Sequence, residues 1–363
     1  MVMKRKKIIC SEREIELLEF VPDLYLIHTE ANLALTQLRK GVPTWASQEK
    51  NREMSVSVWV YEDDRVNAFC CYKDGHNYIA LSVGIFVEYW KAANDFVNHE
   101  RFSLVFKLAA DRKPCVLNAL FFSMLNFTIA HEFGHIAHGH LRVDSYCNVI
   151  DEVLEITDEG NSNTKNWNTQ LKEYDADSFA VSIQALLLLQ EWSDEIKTNI
   201  ASVDMLFIAN YLCFLTFAEK TGRNFDKYME KDIAEVDHPH PGIRMYYAVL
   251  LYSYWIGRIK GYNEDVLYAL SSGTHAVVAY EKTVVESKKI KECYFSVAFT
   301  EKGCQHIMNL NNGWQELVDH YNQYAYIPIE KLGDIDSLPV SVNENGTFLK
   351  LNIPAAESRQ SGR

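Results

Sequence analysis

Thr128-Ile129-Ala130-His131-Glu132-Phe133-Gly134-His135-Ile136-Ala137-His138-Gly139-His140 is the stretch on which the reading of this chain turns. An α-helix advances 3.6 residues per turn, so a helix here projects His131 and His135 from one face, close enough for both imidazoles to ligate one ion. Glu132 stands beside them, where it can take a proton from water. A zinc ion with an open position lowers the pKa of bound water from about 15.7 to about 7, so the spacing points to hydrolysis near neutral pH. With 12 histidines in 363 residues, His-Glu-x-x-His arises by chance in roughly 3 % of chains of this composition, and the surroundings must carry part of the argument. Val116 to Ala130 is apolar almost all round (Leu117, Leu120, Phe121, Phe122, Met124, Leu125, Phe127, Ile129), the pattern of a helix buried in a core. Two imidazoles and a carboxylate at the end of such a helix are costly to bury without partners, and a metal supplies one.

Three protein ligands plus water make a catalytic zinc site, and four usually make a structural one. A histidine ten residues after the first would be a familiar third ligand, but position 141 is leucine. His138 and His140 are poor candidates by that spacing, and a polar or capping role near the helix end is the better reading of both. Downstream lies Leu171-Lys172-Glu173-Tyr174-Asp175-Ala176-Asp177-Ser178-Phe179-Ala180, followed by the apolar run Val181 to Leu189. Glu173 and Asp177 share a face of a second helix whose other positions are built for burial. Two like charges at that spacing repel, and a cation beside them removes the penalty. Glu173 would complete a His-His-Glu set, and Asp177 would accept the free ring N–H of a ligand histidine. The competing reading is an ordinary acidic helix start favoured by the helix dipole, which on this segment alone is the stronger of the two.

Val66 to Tyr72 and Asn77 to Val83 flank Lys73-Asp74-Gly75-His76, a turn sequence with Asp-Gly at its centre, so a β-hairpin is expected. An open edge of such a sheet can hydrogen-bond an extended peptide, though a plain core hairpin reads the same way.

Taken together these segments resemble the gluzincin metallopeptidases of the CAAX prenyl protease and HtpX type. Asn67-Ala68-Phe69 resembles the strand ahead of the family's metal helix, and Tyr78-Ile79-Ala80-Leu81-Ser82-Val83-Gly84 resembles its paired strand. His238-Pro239-His240-Pro241-Gly242-Ile243-Arg244 is similar to its His-Pro-x-x-x-x-Arg signature. The resemblance covers roughly residues 63 to 250, in the family's order. The phage-exclusion protease branch is nearest, with a histidine nine positions after the first, here His140, and a later Glu-x-x-Ala-Asp. The resemblance implies an α+β, mainly α, zincin-like fold with a small antiparallel sheet packed on the metal-binding helices. It implies Zn2+ on His131, His135 and Glu173, with Glu132 as general base toward water and then acid toward the leaving amine. It further implies that His238 donates a hydrogen bond to the oxyanion, and that Asp177 and Arg244 support the ligands, Arg244 pairing with Asp177 or another buried acid. His240 stands where a second proline is usual, so the motif can be read from His238 or His240. The six-residue spacing to Arg244 favours His238. Without these flanking matches, Asp237-His-Pro-His-Pro reads as an exposed turn.

Hydrophobic residues make up 48 % of the chain, enough for one substantial core or two, and the formal charge of −13 argues against a nucleic-acid surface. Met1-Val-Met-Lys-Arg-Lys-Lys-Ile-Ile-Cys10 is basic, but its apolar part is too short for a secretory signal. The best candidate for a membrane span, Met205 to Ala218, has about 14 residues with Asn210 inside, short of the ~20 a crossing helix needs, and reads as a core helix. Cys10, Cys70, Cys71, Cys115, Cys147, Cys213, Cys293 and Cys304 show no Cys-x-x-Cys spacing, which suits free thiols in a reducing compartment, the cytoplasm. A catalytic role for Cys70 or Cys71 has only the residue type in its favour. Trp90, Tyr246, Tyr247 and Trp255 read as packing.

The organisation expected is a helical lead-in over residues 1–62, a zinc metallopeptidase core over 63–262, a mainly helical extension over 263–340 and a mobile tail over 341–363. Ser11-Glu12-Arg13-Glu14 reads as a capping box opening a helix through Ile15, Leu17, Leu18 and Phe20. Asp144 to Lys172 reads as an inserted polar loop able to cover the cleft. No internal repeat is present. The function expected is a soluble zinc-dependent metalloendopeptidase acting on a cytoplasmic protein, with phage defence implied by the resemblance alone. Its partner would be a protein or peptide substrate, with no nucleic acid and no membrane span. A catalytically silent zinc-binding interaction protein and a zinc amidohydrolase acting on a small molecule are the other classes.

Overall fold

A computed structural model describes residues 5–10, 13–18, 55–100, 111–142, 163–191, 200–220, 238–260, 264–288, 294–329, 331, 340–342 and 349–351. Strands β1 (Arg5–Cys10), β2 (Arg13–Leu18), β3 (Val56–Tyr61), β4 (Ala68–Lys73) and β5 (His76–Ser82) form one sheet in the order β1-β2-β3-β5-β4. The β4–β5 hairpin forms where the turn chemistry places it. Asp74 and Gly75 both have positive φ, 52° and 80°, as a two-residue turn matched to strand twist requires.

Two expectations are corrected here. The sheet is mixed, not antiparallel, because β3 lies parallel to β5, with Val56 opposite Asn77. The helix expected from the Ser11–Glu14 capping box is not formed. Ile15 and Leu17 alternate with Glu14 and Glu16, and this period of two pairs β2 antiparallel to β1, setting Lys7 opposite Glu16 and Ile8 opposite Ile15. Pairing with β1 along all six residues and with β3 at Leu17 and Leu18 gives β2 backbone partners on both sides, which a local capping signal does not outweigh.

Alternation also sorts the two faces of the sheet. Val56, Val58, Val60, Ala68, Cys70, Ile79 and Leu81 join the main core with the helices, while Tyr61, Phe69, Cys71, Tyr78 and Ala80 cluster on the other side. The helices are α1 (Val83–Asn98), α2 (Lys113–Ala137), α3 (Asn163–Glu191), α4 (Ile200–Lys220), α5 (Pro241–Lys260), α6 (Glu264–Lys288) and α7 (Glu301–Tyr321), with a 3₁₀ turn at Tyr294–Phe299. Ser82 ends β5 and caps α1, its hydroxyl accepting from the amides of Ile85 and Asn67 at 3.3 and 3.0 Å.

Helix α2 is apolar all round because it has neighbours all round: α1, α3, α4 and the sheet. It is the one described helix long and apolar enough to cross a membrane, whereas the sequence singles out Met205 to Ala218. That apolar window of α2 is 56 % buried against the rest of the fold. Helix α3 begins at Asn163, so the end of the expected Asp144–Lys172 loop is helical. Trp167 and Leu171 flank Gly313 of α7, a contact invisible in the local polarity. Residues 143–162 of that loop lie outside the described residues, as do residues 343–348 and 352–363 of the expected tail. Within that tail, β6 (Val340–Val342) pairs with β7 (Leu349–Leu351), strands too short for periodicity to register.

Candidate metal centre

The site is made where α2 crosses α3. Gly134 is the residue that permits the approach: a Cβ there would stand 3.1 Å from the Phe179 Cβ and 3.2 Å from the Ala176 Cα. One helix therefore rests on the other at two small residues, Gly134 and Ala176. Beside this contact, His131 and His135, three residues before Gly134 and one after it, meet Glu173, three residues before Ala176.

All three are buried. His131 Nε2 and His135 Nε2 are 3.2 Å apart, and they lie 3.2 and 3.4 Å from the two Glu173 oxygens. A tetrahedral site with zinc–nitrogen bonds of about 2.0–2.1 Å has ligand atoms about 3.3 Å apart, so the spacing fits. The electrostatics fit as well. His131 Nδ1 faces Asp177 Oδ1 at 2.8 Å, so its proton sits on Nδ1 and its Nε2 lone pair points at Glu173. Neither Glu173 oxygen makes a hydrogen bond to the described residues. A buried carboxylate facing two imidazole nitrogens is stabilised by a cation, whether a proton on a ring or a metal ion. The same field acts on protons. Burial opposes a charge on His131, yet Glu173 and Asp177 raise its pKa well above the ordinary value, whereas burial holds that of His135 down. Burial likewise opposes ionised Glu173, but His238, His131 and His135 hold it well below the usual carboxylate range.

Asp177 is itself held from the far side. Arg244 donates Nε–H to its Oδ2 and Nη2–H to its Oδ1, both at 2.8 Å, and the Tyr247 hydroxyl donates to Oδ2. The guanidinium lies over the Phe214 ring at 4.7 Å. Burial disfavours the Asp177 charge, but Arg244 and His131 bring its pKa to about 2.

The two histidines left in competition by the His-Pro-His-Pro run separate cleanly. His238 Nε2 lies 3.7 Å from Glu173 Oε2, at the site. His240 turns its Nδ1 to the Gly242 amide at 3.0 Å and caps α5, with Pro241 in the first turn. Glu132 is buried beside its neighbours. Cys70 of β4 lies against it, and burial together with the Glu132 carboxylate pushes the thiol pKa well up, so the thiol stays protonated. Past the end of α2, His138 and His140 reach Asp175 Oδ2 from Nδ1 at 2.6 Å and from Nε2 at 3.1 Å.

Cys70, Tyr247 and Asp175 are the residues that sequence reasoning leaves without a place at the site. Cys70 had one signal, its alternation with Ala68 on the helix-facing side of β4. Tyr247 had another, standing three residues after Arg244 on a helix, where the two share a face. Asp175 had none, because it falls between the two carboxylates that the helical period selects.

Residues 87–253 match the sequence profile of the family Peptidase U49. The span runs from α1 into α5 and includes His131, Glu132, His135, Glu173, Asp177, His238 and Arg244. The match supports a peptidase, and the buried His131–His135–Glu173 group could hold a metal ion. The phage-exclusion protease Lit is in the matched family. No curated protein and no solved structure matches the chain.

Proposed function

We propose that this chain is a soluble zinc-dependent metalloendopeptidase. The observation that carries the reading is the convergence of two imidazole nitrogens and a buried carboxylate at tetrahedral spacing, within a span that matches a peptidase family. Zinc held by His131, His135 and Glu173 would lower the pKa of water toward about 7 and polarise the scissile carbonyl. Glu132 takes the proton from the attacking water and returns it to the leaving amine. The protonated Cys70 thiol beside it can donate a hydrogen bond to the Glu132 carboxylate. His238 donates to the oxyanion as the carbonyl becomes tetrahedral, a task whose removal costs about 2.7–4 kcal/mol in other enzymes. Among the described residues β4 has one sheet neighbour, β5, and it carries Cys70 against Glu132. A peptide extended along the outer edge of β4 would bring a backbone carbonyl to the site, which favours a protein or peptide as substrate.

Cys70, Cys71, Cys115, Cys213 and Cys304 are free, which suits a reducing compartment and a cytoplasmic target. Action in phage defence rests on the resemblance alone. The test compares new protein N-termini in extracts incubated with wild type and with Glu132→Gln, alongside zinc content. Glu132→Gln should lose about 10²–10⁴ of the hydrolytic rate and keep stoichiometric zinc, whereas Glu173→Ala should lose the metal. Zinc binding without any new termini would favour a silent binding protein, and cleavage confined to small amides an amidohydrolase.

A further inference from the structure

We infer that His140 is a positioning residue for the metal centre: it fixes the tautomer and ring plane of His135 through an imidazole-to-imidazole relay that stands beside Asp175 and is walled by Trp314 and Tyr321. The inference rests on the zinc reading above and adds a residue to it.

His131 and His135 are equivalent in the motif but not in their support. The Nδ1 of His131 meets a carboxylate directly, Asp177 at 2.8 Å. The Nδ1 of His135 meets another imidazole, His140 Nδ1 at 2.7 Å. For His135 to offer its Nε2 lone pair toward Glu173, its proton must be on Nδ1, so His135 donates and His140 accepts. A neutral His140 can accept at Nδ1 only with its own proton on Nε2. That atom lies 3.1 Å from Asp175 Oδ2, which also takes the Nδ1–H of His138 at 2.6 Å. The proton on His135 Nδ1 thereby assigns the one on His140 Nε2, which stands beside a buried carboxylate at ion-pair distance without the geometry of a hydrogen bond. An imidazole that accepts from Nδ1 raises the basicity of His135, the service that the Asp177 carboxylate performs for His131.

The backbone is shaped for this return. Gly139 follows the end of α2 in the left-handed region, φ 79°, and a Cβ there would lie 2.7 Å from the backbone of Tyr324. The reversal brings His140 back beneath His135, five residues from it in sequence. There the fully buried ring stands edge-on to Trp314 and Tyr321, centroids 5.5 and 5.0 Å away. Both belong to α7, beyond the span that matches the peptidase family.

Two variants of the full chain separate an acceptor from a filler. His140→Phe keeps the ring against Trp314 and Tyr321 but cannot accept, and His140→Asn sets a carbonyl oxygen near the place of Nδ1. Zinc affinity is read by competition with a chromophoric chelator, and ligand geometry by the visible spectrum after cobalt substitution. His140→Phe should bind zinc about 10- to 100-fold more weakly with an altered cobalt spectrum, and His140→Asn should regain most of the loss. Wild-type affinity in His140→Phe, or equal losses in both variants, overturns the relay. Should His140→Phe not fold, imidazole nitrogen NMR of zinc-loaded wild type decides: a proton on Nε2 of His140 and on Nδ1 of His135 is expected, and a proton on His140 Nδ1 overturns it. Failure of the underlying reading looks different, because wild type itself would then bind no zinc and Glu173→Ala would change nothing.

Discussion

His240 lies two residues from His238 in one His-Pro-His-Pro run, yet its ring is spent on the backbone. It accepts the Gly242 amide at Nδ1, its carbonyl accepts the Arg244 amide at 2.9 Å, and it is 1 % exposed. Burial brings its pKa from 6.5 down to about 3. Between those values the unfolded chain takes up a proton that the folded chain refuses. Stability from this residue is therefore whole above pH 6.5 and falls as pH drops through the window, by about 1.4 kcal/mol per pH unit. His240→Asn keeps an oxygen for the cap and removes the titration, so the fall of unfolding free energy with acid should become shallower by about that slope. Urea denaturation at a series of pH values measures it. An unchanged slope would mean that the folded protein accommodates a charged His240. The contrast with His238 shows how little the residue type decides. One histidine faces a buried carboxylate, the other a helix end, and their neighbours set the chemistry.

At the scale of elements, the metal centre is a distance between two helices. Gly134 and Ala176 set that distance, and the ligands on either side inherit it. Gly134→Val adds two methyl groups beyond a Cβ that is already tight against α3, and should cost about 1–3 kcal/mol by overpacking. Because α3 carries Glu173 while α2 carries both histidines, the same change should weaken zinc binding more than it lowers the thermal midpoint of the zinc-free protein. Isothermal titration and thermal unfolding together test this. Zinc affinity untouched in a folded Gly134→Val protein would show that helix separation is not what sets the site.

This dependence also explains what could be read from the sequence. His131 and His135 were legible because one helix carries both, and the β4–β5 hairpin because Asp74-Gly75 fixes its turn locally. Glu173 was legible only with the family resemblance beside it, because on its own segment an acidic helix start was the stronger reading. Residues 13–18 were misread because a capping pattern is local whereas the strand pairing that overrides it is not. His140 and Asp175 were illegible for the same reason: their partnership depends on a chain reversal at Gly139 and on α7, more than 160 residues downstream of His140.

Over the whole molecule, the region beyond the matched span closes the centre. The amides of Tyr326 and Ile327 reach the Ala137 carbonyl at the end of α2, at 2.7 and 3.1 Å, and the Arg142 guanidinium lies over the Tyr326 ring. The packing of α7 behind His140 gives the last test. Trp314 is 2 % exposed, so Trp314→Ala should cost about 3–5 kcal/mol, whereas Trp90, 45 % exposed on α1, should cost less when truncated. If α7 serves the site through His140, Trp314→Ala should also weaken zinc binding in the wild-type background and add little in His140→Phe, where the link is already cut. Equal losses of affinity in both backgrounds would mean that Trp314 acts through the general stability of the fold. A loss confined to the wild-type background would place a helix outside the matched span in the chain of contacts that orients a metal ligand.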